Sequence, residues 1–262
     1  MTAVVDASQS RARRALADYA RRTPATQADI DRVMRCLVEH DGWFVPVLYA
    51  DRSWGQTGFD QILIFPDAPP AKVLMVFTDE ASALQAENQA IGPYGGPVGG
   101  VRLMGRLDPS FTALVVNPAS PRDHQWYIAT GGFEIAGHWA AAVLAERALA
   151  NRTAGGPLPT AELRAYRAYQ LLLDKSGNAL TEIEVPGIDG SFAVAFTAPD
   201  RAGEFLASLP PGARASAALA VADGPEMFEM LVEMGVAGLV LNAGAEQQTA
   251  LLRPDLVALA SA

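Results

Sequence analysis

Val73-Leu74-Met75-Val76-Phe77-Thr78-Asp79-Glu80 returns in altered form as Phe192-Ala193-Val194-Ala195-Phe196-Thr197-Ala198-Pro199. A continuously apolar run of this length bounded by polar residues reads as a strand buried on both faces. The Phe-Thr that closes each run reads as the start of a helix capped by the threonine hydroxyl. Working outward, Leu114-Val115-Val116-Asn117-Pro118 is answered by Leu239-Val240-Leu241-Asn242-Ala243, and the helix-like run from Thr26 to Gly42 by the run from Thr160 to Gly177. Recurrence in the same order predicts two related domains. The expected fold is α/β (α+β), with two tandem domains that each carry a mixed β-sheet flanked by helices. The expected boundaries are a basic helical segment at 1–25, a first copy at 26–130, a linking helix and Gly/Pro linker at 131–159, and a second copy at 160–262.

Composition supports a folded chain and removes several function classes. Half of the 262 residues are hydrophobic and 19% are charged, unlike a disordered composition. The formal net charge of -9 opposes attraction to phosphate backbones or anionic lipid, so neither nucleic acid nor a membrane is an expected partner. Charge is uneven. Residues 1–25 hold Arg11, Arg13, Arg14, Arg21 and Arg22 against Asp6 and Asp18. Such an end could dock on the acidic body, on a neighbouring chain, or fray, and the last two are expected. Cys36 is the sole cysteine, which leaves no internal disulfide and no multi-cysteine zinc site. No run of about eighteen apolar residues and no signal-peptide pattern is seen, and a cytoplasmic location is expected.

Along the chain, Thr26-Gln27-Ala28-Asp29 has capping-box spacing, and Ile30, Val33, Met34, Leu37 and Val38 make one apolar stripe. Trp43 to Tyr49 and Gln61 to Phe65 read as strands that could pair across the polar run from Asp51 to Asp60. Thr78 is expected to cap a helix through Leu84. Gly92-Pro93-Tyr94-Gly95-Gly96-Pro97-Val98-Gly99-Gly100 invites comparison with a phosphate-binding loop, but no Gly-Lys-Ser/Thr follows and Val101 to Met104 reads as a strand. Gly131 to Asn151 reads as a helix. Thr160 opens a helix containing Leu163, Tyr166 and Leu173. Pro225 to Met234 reads as a helix with Met227, Met230, Leu231 and Met234 toward a core. Little room remains in the first copy for its equivalent, so the copies are expected to diverge there.

Few residues offer chemistry. The histidines are His40, His124 and His138. His40 at a helix end reads as a cationic partner of the helix dipole. Asp123 beside His124 imitates part of a triad, but no Gly-x-Ser-x-Gly elbow accompanies them. Cys36 reads as a half-buried packing residue. Glu226, Glu229 and Glu233 share a helix face that reads as solvated rather than as a cation site. Trp54, Phe59 and Tyr94 stand on polar or Gly-rich stretches and are the candidate interface residues, because Trp and Tyr are enriched at protein interfaces. The rival reading has them covering their own domain's core. No catalytic residue, metal ligand or cofactor is expected.

Val45-Pro46-Val47, Val76-Phe77-Thr78-Asp79-Glu80 and Val115-Val116-Asn117-Pro118, echoed by Phe196-Thr197 and Val240-Leu241-Asn242, resemble the SseB protein N-terminal domain family in two tandem copies. The resemblance covers roughly 26–130 and 160–258, and Ala243 stands where the first copy has its proline. It implies an α/β-type bacterial domain with no established enzymatic activity, associated by name with serine sensitivity and secretion-linked proteins. The expected function is therefore non-enzymatic: binding of another protein, or of a second copy of the chain, through loops or edge strands. The alternative is a small-molecule binding protein using the cleft between the two copies. A hydrolytic enzyme built on Asp123 and His124 comes third.

Overall fold

The structure is a computed structural model that describes the chain apart from residues 1, 47–60, 64–70, 88–93, 119, 153–155, 175, 180–182, 186–187 and 246–247. It is a mixed α/β protein of two compact units, 1–140 and 141–262. The elements of unit 1 are α1 (Thr2–Ala20), α2 (Gln27–Glu39), β1 (Trp43–Pro46), β2 (Gln61–Leu63), β3 (Ala71–Val76), α3 (Glu80–Glu87), β4 (Tyr94–Val98), α4 (Gly100–Met104), β5 (Ala113–Val116) and β6 (Trp126–Ala129). Helix α5 (Phe133–Ala150) crosses the division. Unit 2 continues with α6 (Thr160–Ala165), β7 (Tyr169–Leu173), β8 (Ile183–Val185), β9 (Ile188–Phe196), α7 (Pro199–Ser208), α8 (Pro211–Arg214), β10 (Ala218–Ala222), α9 (Gly224–Glu233), β11 (Gly238–Leu241), β12 (Thr249–Leu252) and α10 (Arg253–Ser261).

The two units have one topology. In unit 2 the strands lie in the order β10-β7-β9-β11-β12, with β8 also on β9. The β9–β11 pair is parallel, Phe192 opposite Gly238 and Ala195 opposite Leu241, and the other pairs are antiparallel. In unit 1, β3 and β5 make the parallel pair, Val73 opposite Ala113 and Val76 opposite Val116, with β2 and β6 antiparallel at their flanks. Phe44 N donates to Phe77 O at 2.8 Å and Phe77 N to Phe44 O at 2.9 Å, which ties the antiparallel β1–β4 pair to the end of β3. The unit 1 order is thus β4-β1-β3-β5-β6 with β2 beside β3, strand for strand the arrangement of unit 2.

The principal strands are buried because they carry the core on both faces. Phe192, Val194 and Phe196 pack with Leu172 and Val240 on one face of β9 under Ala202 of α7, while Ala193 and Ala195 are equally buried on the other. Burying each phenylalanine contributes about 2–3 kcal/mol. Volume is balanced across the parallel pair. A Cβ on Gly238 would lie 2.5 Å from the Phe192 ring, so the large residue of β9 needs glycine opposite, whereas unit 1 sets Val73 against Ala113 at the same place.

Several expectations are corrected. Val101 to Met104 is the helix α4, not a strand. A Cβ on Gly100 would sit 2.4 Å from Val38 O and 2.5 Å from Leu37 O, and Gly224 meets Tyr166 O at 2.8 Å in the same way. Gly100 N donates to His40 O and Gly224 N to Tyr166 O, so α4 is the counterpart of α9 and the copies do not diverge there. Glycine is required at both helix starts because each presses on the carbonyl end of the preceding helix. The repeat of the first helix is also out of step with the sequence alignment: Leu37, His40 and Trp43 answer Leu163, Tyr166 and Tyr169. Trp43 Nε1 donates to Leu37 O at 3.1 Å, and Tyr169 Oη donates to Leu163 O at 2.9 Å. Helix α6 accordingly ends at Ala165, and Leu173 belongs to β7. Among the described residues, strand β2 pairs with β3 and not with β1.

The basic N-terminal segment docks on its own unit. Ala12, Ala15 and Leu16 of α1 are buried, Tyr19 meets the edge of Trp126 at 4.6 Å, and Arg11 pairs with Glu39 at 3.0 Å. Arg22 pairs with Asp29, the residue that completes the capping box of α2 through Thr26 N at 3.0 Å. Among the described residues no helix is long and apolar enough to cross a membrane.

Candidate functional site

In open α/β sheets, ligands gather beyond the carboxyl ends of the parallel strands, so that place is the natural one to inspect. In both units it is filled by the residues of the repeat. Asn117 follows β5 with φ of 51°, and Asn242 follows β11 with φ of 55°; among the described residues they are the non-glycine positions in the left-handed region. Asparagine tolerates that conformation better than most residues. Each side chain then reaches back across the parallel pair. Thr78 N donates to Asn117 Oδ1 at 2.9 Å, and Thr197 N donates to Asn242 Oδ1 at 2.9 Å. The backbones close the same clamp, Asn117 N on Val76 O at 2.8 Å and Asn242 N on Ala195 O at 2.9 Å. Asn117 Nδ2 additionally donates to Thr78 Oγ1 at 3.0 Å and to His124 O at 3.1 Å.

A carboxylate and an arginine complete each cluster, and their sources are exchanged. In unit 1 the carboxylate is Asp79, next in chain to Thr78; it accepts from Ser82 N at 2.9 Å and Ser82 Oγ at 3.1 Å and pairs with Arg13 of α1. In unit 2 the carboxylate is the buried Glu146 on α5, which accepts from Thr197 Oγ1 and pairs with Arg201 of α7 at 3.6 Å. Ser82 and Arg201 stand at corresponding positions of α3 and α7. The helix ahead of the domain therefore brings the cation in one unit and the anion in the other. Asp79 rather than Thr78 caps α3, and Thr197 spends its hydroxyl on Asn242 and Glu146 rather than on α7. The sequence signal for both threonines was a cap, and the tertiary partners displaced it.

His40 is buried beside the unit 1 cluster, and its Nε2 lies 3.0 Å from Thr78 O. A carbonyl only accepts, so this nitrogen carries the proton. From the C-cap of α2, the end where the sequence suggests a dipole partner, His40 makes a tertiary tie to the residues that follow β3. His124 lies in the turn Arg122–His124 and its carbonyl, not its ring, meets Asn117. His138 is on the exposed side of α5, 4.0 Å from Glu134. Cys36 is buried in α2, and burial pushes its thiol pKa up, away from the reactive thiolate. Among the described residues no group of three His, Cys, Asp or Glu could hold a metal ion. The arrangement holds the ends of the parallel strands together in both units.

Of the three interface candidates, Trp54 and Phe59 lie outside the described residues. Tyr94 lies on the edge strand β4, half-buried, with its ring against Phe77 at 4.8 Å. The surface offers other positions. Strand β10, Ala218-Leu219-Ala220-Val221-Ala222, is the edge of the unit 2 sheet and pairs only with β7 among the described residues. Leu219 is 36% exposed and Val221 68% exposed, although both point to the face that carries Leu172 and Phe196 farther in. The corresponding strand of unit 1 is blunted: its sequence is Tyr94-Gly95-Gly96-Pro97-Val98, and Pro97 has no N–H to offer. Beyond β10, Asp223 takes Arg167 through both carboxylate oxygens at 2.7 and 2.6 Å, which anchors the strand's end. Met230 and Met234 of the α9 region are exposed, not core, while Met227 and Leu231 are buried as expected and Phe228 is buried with them. Glu226, Glu229 and Glu233 are solvated. Alanine is depleted in strands, which hid β10 in the sequence. No protein-family model, curated protein or solved structure matches this chain.

Proposed function

We propose that this chain is a non-enzymatic, SseB-like tandem-domain protein that acts by binding protein through the open edge of its second domain. One observation carries the reading: β10 is an edge strand with apolar, charge-free side chains, Leu219 and Val221, held toward solvent. Soluble folds ordinarily protect such an edge with proline, lysine or a covering element, as Pro97 does in the first domain. An unprotected edge retained beside a protected copy is suited to strand addition, in which backbone hydrogen bonds supply affinity and alternate side chains supply selectivity.

The test is capture from native extract on the immobilised chain and on its Val221→Lys variant. Val221 is exposed, so lysine there leaves the core intact while placing a charge on the edge. The reading expects proteins retained by the unaltered chain to be lost from the variant. Retention of the same proteins by both would overturn it.

A further inference from the structure

We infer that the partner at β10 is a second copy of this chain, paired antiparallel across a two-fold axis through Ala220; this rests on the edge reading above and assigns its occupant. The argument begins with the strand's own sequence. Ala218-Leu219-Ala220-Val221-Ala222 reads nearly the same from either end. Antiparallel pairing about Ala220 sets Leu219 opposite Val221 of the other copy, Ala218 opposite Ala222, and Ala220 opposite itself. A two-fold interface must be self-complementary, each patch meeting an identical patch, and a strand with mirror-related small and large residues meets that condition without any adjustment of register.

The side-chain geometry agrees. Leu219 and Val221 share one face, set by their pairing with Leu172 and Gln170, and that face is the one carrying the Phe192, Val194 and Phe196 core. Pairing of two edges would place the two Leu219–Val221 sets side by side and extend that apolar layer across the axis, with directly opposed Cβ atoms about 4.5–5.5 Å apart. Charge does not oppose it. The chain is acidic overall, yet β10 itself bears no charge, and the carboxylate that follows it in the chain, Asp223, is paired with Arg167. Unit 1 cannot pair in this way at its own edge: Tyr94 turns inward onto Phe77, and Gly96-Pro97 interrupts the ladder. Five residues make a short seam, so the expected dissociation constant is on the order of 10–100 µM.

Light scattering on the chain at about 300 µM is expected to give a weight-average mass about 1.7–1.9 times the 27.7 kDa chain mass for dissociation constants in that range, falling to the single mass on dilution. Two double variants, Leu219→Lys with Val221→Lys and Leu219→Glu with Val221→Glu, are each expected to be monomeric, because the pairing sets like charges opposite one another. Their equimolar mixture is expected to restore the raised mass, since lysine then faces glutamate at every crossing. A single mass for the unaltered chain at about 300 µM, or a raised mass that survives in both variants, overturns the proposal. A second measurement does not depend on those variants. Ala220→Cys is expected to form a covalent dimer under mild oxidation, whereas Leu219→Cys, whose opposite is Val221, is expected to form far less. Equal cross-linking at the two positions overturns the two-fold register. A monomeric chain whose captured proteins are nonetheless lost with Val221→Lys would reject self-pairing and keep the edge reading; retention of those proteins by the variant would reject the edge reading itself.

Discussion

Asn117→Ala tests the clamp that both domains share. In the structure Asn117 occupies the left-handed region at φ of 51°, and its side chain ties the strand ends, Oδ1 accepting the amide of the fully buried Thr78 at 2.9 Å while Nδ2 donates to Thr78 Oγ1 and His124 O. Alanine removes the acceptor and leaves a buried N–H without its partner, a loss of about 1–3 kcal/mol. It also places an ordinary Cβ in the left-handed region, adding about 1 kcal/mol. The expected destabilisation is about 2–4 kcal/mol. Asn117→Gly loses only the first term and is expected to fall short of the alanine variant by about 1 kcal/mol. All of the chain's tryptophans, Trp43, Trp54, Trp126 and Trp139, fall within 1–140, so tryptophan fluorescence during urea titration reads unit 1 alone. The midpoint is expected to shift with an unchanged slope. If Asn117→Ala costs less than about 1 kcal/mol, or if glycine and alanine cost the same, the reasoning fails, because either the amide has another partner or the backbone conformation carries no strain.

Three further outcomes follow from the same structure. Arg13→Ala is expected to free α1 from unit 1, read as faster amide exchange in α1 with the strands still protected; equal protection in the variant would mean that the buried face of Ala12, Ala15 and Leu16 suffices. Hydrogen bonds from Thr26, aided by Arg22 and Arg32, hold the Asp29 carboxyl below its ordinary value, so its contribution is present above the unfolded-state pKa and is lost as pH falls through the folded one; Asp29→Asn should flatten that acid limb of the stability curve, and an unchanged limb would refute the assignment. Gly100→Ala and Gly224→Ala should each unsettle one unit, by about 1–3 kcal/mol or more, with the larger loss at Gly100, where the added carbon meets backbone oxygens at 2.4 and 2.5 Å; calorimetric transitions that stay in place would show that the helix starts have slack.

The parts of this architecture that depend on local pattern were legible. Val73 to Phe77 and Phe192 to Phe196 are the principal strands, and Leu114 to Asn117 and Leu239 to Asn242 are their parallel neighbours, aligned as the repeat predicts. The fold class follows from them. What was not legible depends on partners far along the chain. The arginines of α1 looked like a loose basic end because Asp79 and Glu39 are distant in sequence, and Gly99-Gly100 looked like loop because the carbonyls of Leu37 and Val38 that demand glycine belong to another helix. Thr78 and Thr197 looked like caps because a hydroxyl before a helix usually is one; only the crossing from Asn117 and Asn242 redirects them. The proposed binding edge was missed for a compositional reason, since three alanines in five residues carry no strand signature.

The reversed polarity of the two ion pairs gives each leading helix an address. Were α1 to settle on the second domain, Arg13 would confront Arg201; were the later turns of α5 to settle on the first, Glu146 would confront Asp79. Two domains of one topology on a single chain are at risk of trading such helices during folding. Exchanging the signs makes the wrong assembly electrostatically repulsive while leaving the right one intact, so twin scaffolds can mature side by side without confusing their parts.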